Sequence, residues 1–223
     1  MIKPNSKRQK FIDCMQHHTP KFWPNLPNRR NHLHAGILVP IIDDLSWTCI
    51  LTKRSAKLNQ HSGEICFPGG KPDSQDKDII ATALREAKEE LGIQQVEVLG
   101  KLSSIPLYTS DFRLEPVVGF IEKQTLTPSP QEVESIIFVD LLRTLQLPKI
   151  DGIQTQLNGK KHLSPIFDTA DVMEQPPTKT PIYGGTAYVL LELLTILAEV
   201  FQTPCPPIVA SNRRFPFESR SNP

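Results

Sequence analysis

Three glutamates, Glu86, Glu89 and Glu90, fall within five consecutive positions of the segment REAKEELG. On a helix, at about 100° per residue, they share an arc of about 100°. Glu86 and Glu90 are one turn apart, and such a like-charged pair costs roughly 0.2–0.5 kcal/mol on an exposed helix. Glu89 and Glu90 also stand in the last turn, at the negative end of the helix dipole, at about 0.3–1 kcal/mol each. Arg85 offsets part of this by pairing with Glu89, in the weaker of the two orders. A divalent cation would remove the penalty. Mg²⁺ or Mn²⁺ takes carboxylate oxygens and keeps waters for exchange; it can bridge phosphate oxygens and activate water. Taken alone, the same segment reads as a solvated acidic face.

The elements around these residues favour the cation. Ile80, Ala83, Leu84, Ala87 and Leu91 recur at three- and four-residue steps and predict a helix over Asp78–Leu91. Asp78 suits its N-cap, and Gly92 suits the left-handed residue after it, with Ile93 packing back on the end. Pro68-Gly69-Gly70 stops a short strand, GEICF, and predicts a tight turn where backbone can approach a ligand. Upstream, AGILVPII and WTCILTKR read as a hairpin joined by DDLS, and VEVLG, EPVVGFI and SIIFVDL as further strands. A second helix, Ala187–Phe201, is apolar nearly all round and should be buried. With two long helices and no repeated βαβ unit, the expected class is α/β in the α+β sense, a mixed sheet with helices packed on it. The expected organisation is an extension over 1–34, with a short helix in SKRQKFIDCMQHH, a domain over 35–203, and a tail over 204–223.

Composition narrows the partners. Twenty-five Lys and Arg balance 24 Asp and Glu among 223 residues, so no global field draws in nucleic acid or an anionic membrane. Neither the Arg29-Arg30 pair nor the aromatic and basic RFPFESR near the C-terminus argues otherwise. An anionic small molecule must then be held by a local cluster or through a metal. No long apolar run opens the chain as a signal peptide would, and no run reaches the ~18 apolar residues of a membrane span. Cys14, Cys49, Cys66 and Cys205 are scattered without metal-ligand spacing and read as reduced thiols, which predicts a cytoplasmic protein. The sequence is compatible with a homo-oligomer.

The order of strand, Pro-Gly-Gly, acidic loop, three-glutamate helix and Gly cap resembles the Nudix hydrolase family, whose box reads G-x5-E-x7-R-E-U-x-E-E-x-G-U. Arg85, Glu86, Glu89, Glu90, Gly92 and Ile93 match its second half. Ala87 stands where a bulky residue is usual, and the acidic loop KPDSQDKD is one residue longer, placing Asp73 or Asp76 near the first acidic position. Upstream, LTKRSAKLNQHSGEICFPGGK resembles the extra signature of the coenzyme A pyrophosphatase subgroup, with Arg54, Ser55, Leu58, His61, Gly63, Phe67, Pro68, Gly69 and Gly70 matching. PQEVESIIFVDL resembles a later segment of the same subgroup. The resemblance spans roughly Ala35 to Phe201 and is thin around Lys149–Thr180.

The resemblance implies a Nudix-type α/β/α sandwich and metal-dependent cleavage of a phosphoanhydride by water. Glu86 and Glu90 would be the main metal ligands, Glu89 a third ligand or a helper, and Arg85 the residue that orients a glutamate. The base would come from the helix or from a later loop, where Glu132 is the candidate and an exposed loop acid the plain alternative. Arg54 would clamp phosphate. His61 would bond a substrate phosphate or stiffen its loop. Gly69 and Gly70 would bring backbone to the substrate. The implied substrate is coenzyme A or an acyl-CoA, giving 3′,5′-ADP and a 4′-phosphopantetheine. The alternatives are another nucleoside diphosphate derivative, such as ADP-ribose or an oxidised nucleotide, and a binding module of the same fold without turnover.

Overall fold

A computed structural model describes residues 4–58, 61–157 and 160–216 of the chain. In chain order it contains α1 (Pro4–His17), β1 (Leu33–Ile42), β2 (Thr48–Arg54), β3 (Ile65–Cys66), β4 (Gly69–Gly70), α2 (Ile79–Leu91) and β5 (Glu97–Lys101). There follow β6 (Ile105–Pro106), β7 (Phe112–Phe120), β8 (Val133–Asp140), α3 (Leu141–Leu145), β9 (Ile150–Leu157), β10 (Lys160–Ile166), α4 (Thr169–Val172), α5 (Gly184–Phe201) and β11 (Ile208–Ser211).

Period-two alternation along the central strands sorts their side chains to two faces. From β1, Ile37, Val39 and Ile41 join the larger apolar cluster, which includes Leu190, Leu193, Leu194 and Leu197 of α5. Leu38, between them, points the other way and meets Ala83, Ala87 and Leu91 of α2 with Ile50 and Val117. Both faces of β1 are therefore buried, which is why its sequence is a nearly continuous apolar run. The result is a mixed sheet between helices: β1 runs parallel to β7 from Leu33↔Phe112 to Ile41↔Phe120, and β2 runs antiparallel to β8 from Thr48↔Asp140. The expected β1–β2 hairpin is present, paired at Ile41↔Cys49 and Ile42↔Thr48.

Both flanks carry elements that pack on the rest of the chain. The segment read as an extension carries α1, whose Phe11 and Met15 are buried in the main core. The Phe11 ring meets Trp47 edge-on at 5.3 Å. The segment read as a tail carries β11, which pairs in parallel with β9 from Ile208↔Ile150 to Ser211↔Ile153; residues 1–3 and 217–223 lie outside the described residues. β9, β10 and β11 form a second, three-stranded sheet in the region where the sequence had suggested no element. Among the described residues α5 alone is long and apolar enough to cross a membrane. Its buried contacts with the sheet account for that apolar run. All four cysteines are free.

Candidate functional site

Helix α2 forms where its caps predict. The Asp78 carboxylate accepts from the Ala81 N–H at 2.8 Å. Gly92 is left-handed at φ 73° and donates to the Lys88 carbonyl. The exposed carbonyls of its last turn are met by a later loop: Thr127 N–H donates to Leu91 O and Ser129 N–H to Glu90 O, both at 2.9 Å. That satisfies groups a helix end leaves open and carries the chain directly on to Glu132. Glu132 is locked in turn, because its carbonyl accepts from the Ser55 N–H at 2.8 Å.

With the apolar stripe fixed against the sheet, Glu86 and Glu90 face inward along the flank. Glu90 is 4% exposed. Burial pushes its carboxyl up to about 8; Arg54 works against that shift, the charges of Glu132 and Glu86 add to it, and the Gly69 N–H donates to it. Burial also raises Glu86, opposed by its contact with Arg85 and assisted by the charges of Glu89 and Glu132. Glu132 is exposed, yet its charge reaches both.

The two glycines make this packing feasible, but not by turning. Gly69 and Gly70 were expected to supply a tight turn; they are the extended strand β4, antiparallel to β1 at Ile37↔Gly69 and Gly36↔Gly70. A Cβ on Gly69 would strike the Gly36 carbonyl and Ile37, and a Cβ on Gly70 would lie 2.7 Å from the carboxyl carbon of Glu86. One glycine admits β1, and the other admits the carboxylate.

Arg85 is held from several sides. Its Nε and Nη2 donate to the Asp76 carboxylate at 3.1 and 3.0 Å. Nη2 also reaches Lys71 O at 3.0 Å and Glu86 Oε1 at 3.0 Å, and Nη1 donates to Glu89 Oε2 at 2.8 Å. The Asp76 side chain is 6% exposed, and Arg85 holds it at about 2. Glu89, by contrast, is 56% exposed and turned to Arg85. The structure thus turns Glu86 and Glu90 inward, keeps the exposed Glu132 within reach of their charges, and leaves Glu89 on the rim. Among the described residues, no three His, Cys, Asp or Glu side chains stand in an arrangement that would by itself hold a metal ion.

Arg54 ends β2 beside Glu90, whose carboxyl it pulls down. Its Nε is buried with no hydrogen-bond partner, an uncommon state that calls for a ligand or a function. His61 pairs through Nδ1 with Glu64 Oε2 at 3.0 Å. The sequence reading did not single out Glu64, nor Tyr183 behind it, and had placed Asp76 only near the first acidic position. Asp76 had a signal, an acid next to the box. Tyr183 comes from the start of α5 and had none.

An oxygen-only pair of inward carboxylates, one of them buried, fits a hard divalent cation, and the buried negative charge is what such an ion would relieve.

The chain is similar to known proteins. The NUDIX domain family matches residues 32–156. The uncharacterized Nudix hydrolase NudL of Photorhabdus laumondii is 43% identical over 136 residues, which is 59% of this chain and 72% of that one. The protein of the same name from Yersinia enterocolitica is 36% identical over 155 residues, 68% of this chain and 77% of that one. Among solved structures, the NUDIX domain of Shewanella oneidensis NrtR complexed with ADP ribose aligns at 18% identity and TM-score 0.42, over 61% of this chain and 86% of that one.

Proposed function

This chain belongs to the NUDIX domain family and is a hydrolase of a pyrophosphate-containing substrate, and from that premise we propose that it cleaves the diphosphate of coenzyme A or an acyl-CoA. The observation that carries the proposal is Arg54. Its buried, unpartnered Nε lies beside Glu90, in the stretch Leu51–Lys71 that resembles the signature of the coenzyme A subgroup. A guanidinium can take phosphate oxygens two at a time.

The chain's own groups divide the work. Glu86 and Glu90 would hold Mg²⁺ or Mn²⁺, with Glu89 at the rim near Arg85. When bound, the cation offsets charge on the diphosphate and makes water a better nucleophile. Arg85, fixed by Asp76, keeps the Glu86 carboxylate in place. Arg54 binds and orients the diphosphate. Glu132, exposed beside both inward carboxylates, is positioned to accept the proton of the attacking water. The water oxygen forms a bond to phosphorus, the P–O bond of the bridge breaks, and the leaving phosphate departs with the bridging oxygen. The products are 3′,5′-ADP and (acyl-)4′-phosphopantetheine.

The test is a comparison of kcat/KM for coenzyme A, its form lacking the 3′-phosphate, and ADP-ribose, each with Mg²⁺ or Mn²⁺, in the wild type and Arg54→Gln. The proposal expects coenzyme A to be preferred and Arg54→Gln to raise KM. A preference for ADP-ribose would assign the same chemistry to another nucleoside diphosphate.

A further inference from the structure

We propose that Glu64, held by Tyr183, is a positioning residue that fixes His61 next to Arg54 as a second cation for the substrate's phosphates. The inference rests on the reading that the site binds a diphosphate.

His61 has a left-handed backbone, φ 56°, which a non-glycine residue keeps only where its surroundings enforce it. The surroundings do enforce it. The loop between β2 and β3 is closed at its neck by Arg54 N–H to Glu64 O at 2.9 Å and Gly63 N–H to Arg54 O at 3.1 Å. Within it Glu64 N–H reaches back to His61 O at 3.3 Å. The same two residues meet again through side chains, His61 Nδ1 to Glu64 Oε2 at 3.0 Å. Backbone and side chain together hold the imidazole in one place.

The pairing is informative because of the one it replaces. Arg54 is close enough for its charge to act on both His61 and Glu64. A carboxylate placed only to neutralise Arg54 would take its guanidinium. Glu64 instead accepts from His61 and from the Tyr183 hydroxyl, and Arg54 Nε is left without a partner. Burial opposes the ionised form of Glu64, but these two hydrogen bonds and the neighbouring positive charges outweigh it, and the carboxyl lies below its usual range. The hydrogen bond to Glu64 in turn raises His61 against the opposing effects of burial and Arg54. An ionised Glu64 accepts a hydrogen bond from Nδ1–H, so a protonated ring keeps Nε2–H as a donor for an anion. Tyr183 stands at the start of α5, far away in sequence, with its ring 6.3 Å from that of Phe215. It ties the loop to the opposite helical layer.

The probe is inorganic pyrophosphate with Mg²⁺, titrated calorimetrically into the full chain as wild type, Glu64→Gln and Tyr183→Phe between pH 6 and 8.5. Glu64→Gln should bind about tenfold more weakly at neutral pH, with the wild type's advantage shrinking as pH rises through the titration of His61, and the His61 imidazole signal of the variant should titrate lower by NMR. Tyr183→Phe should shift both in the same direction by about threefold in affinity, and it decides the matter if Glu64→Gln does not fold. Wild-type affinity and an unmoved pH profile in the folded variants would overturn the assignment, as would a wild type that binds no pyrophosphate. Coenzyme A turnover is read separately: its absence in the wild type, with the ranking of the variants intact, would sink the substrate reading and leave this one standing.

Discussion

The carboxylate of Glu86 lies against the backbone of Gly70, so close that a Cβ there would sit 2.7 Å from its carboxyl carbon and from Oε1. Gly70 is in an extended strand, so no special dihedral demands glycine; the space itself does. Gly70→Ala should fold, since β4 stays paired, but it should push Glu86 off its position and lower turnover by about 100-fold or more. Steady-state kinetics with circular dichroism as the folding control checks this. Unchanged turnover would mean that Glu86 is free to move.

The metal-free protein should lose stability as pH rises from about 4.5 to about 8. Glu90 has an ordinary value of 4.5 and a folded value of about 8, so the folded chain binds a proton that the unfolded chain releases in this window. The contribution is fully present below 4.5 and is gone above about 8. Glu90→Gln removes the liability. At pH 8 without metal, the variant should melt ~5 °C or more above the wild type, with the gap closing near pH 4.5 and activity lost. Thermal melts across pH in chelator test this directly. An early-melting variant that keeps its turnover would show the carboxylate to be structural.

Asp76 anchors Arg85, and Arg85 in turn touches Glu86. Asp76→Asn should keep the fold and cost about 10–100-fold in turnover, the usual effect of losing a group that orients a ligand. Because Arg85 holds Asp76 at about 2, this anchor should not titrate in any assay above pH 4. A new acid limb there, present in the wild type and absent in Asp76→Asn, would contradict the account.

Glu89→Gln should be the mildest of the three helix substitutions. Its side chain is exposed and bonded to Arg85, away from Glu90. Metal affinity should fall by less than about tenfold, whereas Glu86→Gln and Glu90→Gln should abolish detectable binding. Isothermal titration with Mn²⁺ ranks the three, and an equal loss in all three would make Glu89 a full ligand.

The site was legible where its determinants are local. Asp78, the apolar stripe and Gly92 specify α2, and one helix then carries Arg85, Glu86, Glu89 and Glu90 together. Three-dimensional contacts decided the rest. Gly69-Gly70 reads as a turn, but it is drawn into an extended strand because β1 offers open backbone at Gly36 and Ile37. The stretch leading into β1, TPKFWPNLPNRRNHLH, is rich in Pro and Asn. It is fastened by Arg113, fully buried, whose guanidinium donates to Asn31 O, Trp23 O, Asn25 Oδ1 and Ser104 Oγ. A buried arginine held by three carbonyl oxygens and one hydroxyl has no local signature. The β9–β10 pair was passed over although Asn158-Gly159 is a strong hairpin signal. Its weakly alternating strands, IDGIQTQL and KKHLSPI, hid it.

The most direct test of the central claim is hydrolysis of coenzyme A in ¹⁸O-water with Mg²⁺ or Mn²⁺, with the products identified by mass. The account predicts metal-dependent release of 3′,5′-ADP and 4′-phosphopantetheine, with one ¹⁸O incorporated into a single product phosphate. Intact coenzyme A after incubation with folded, metal-loaded protein would contradict it.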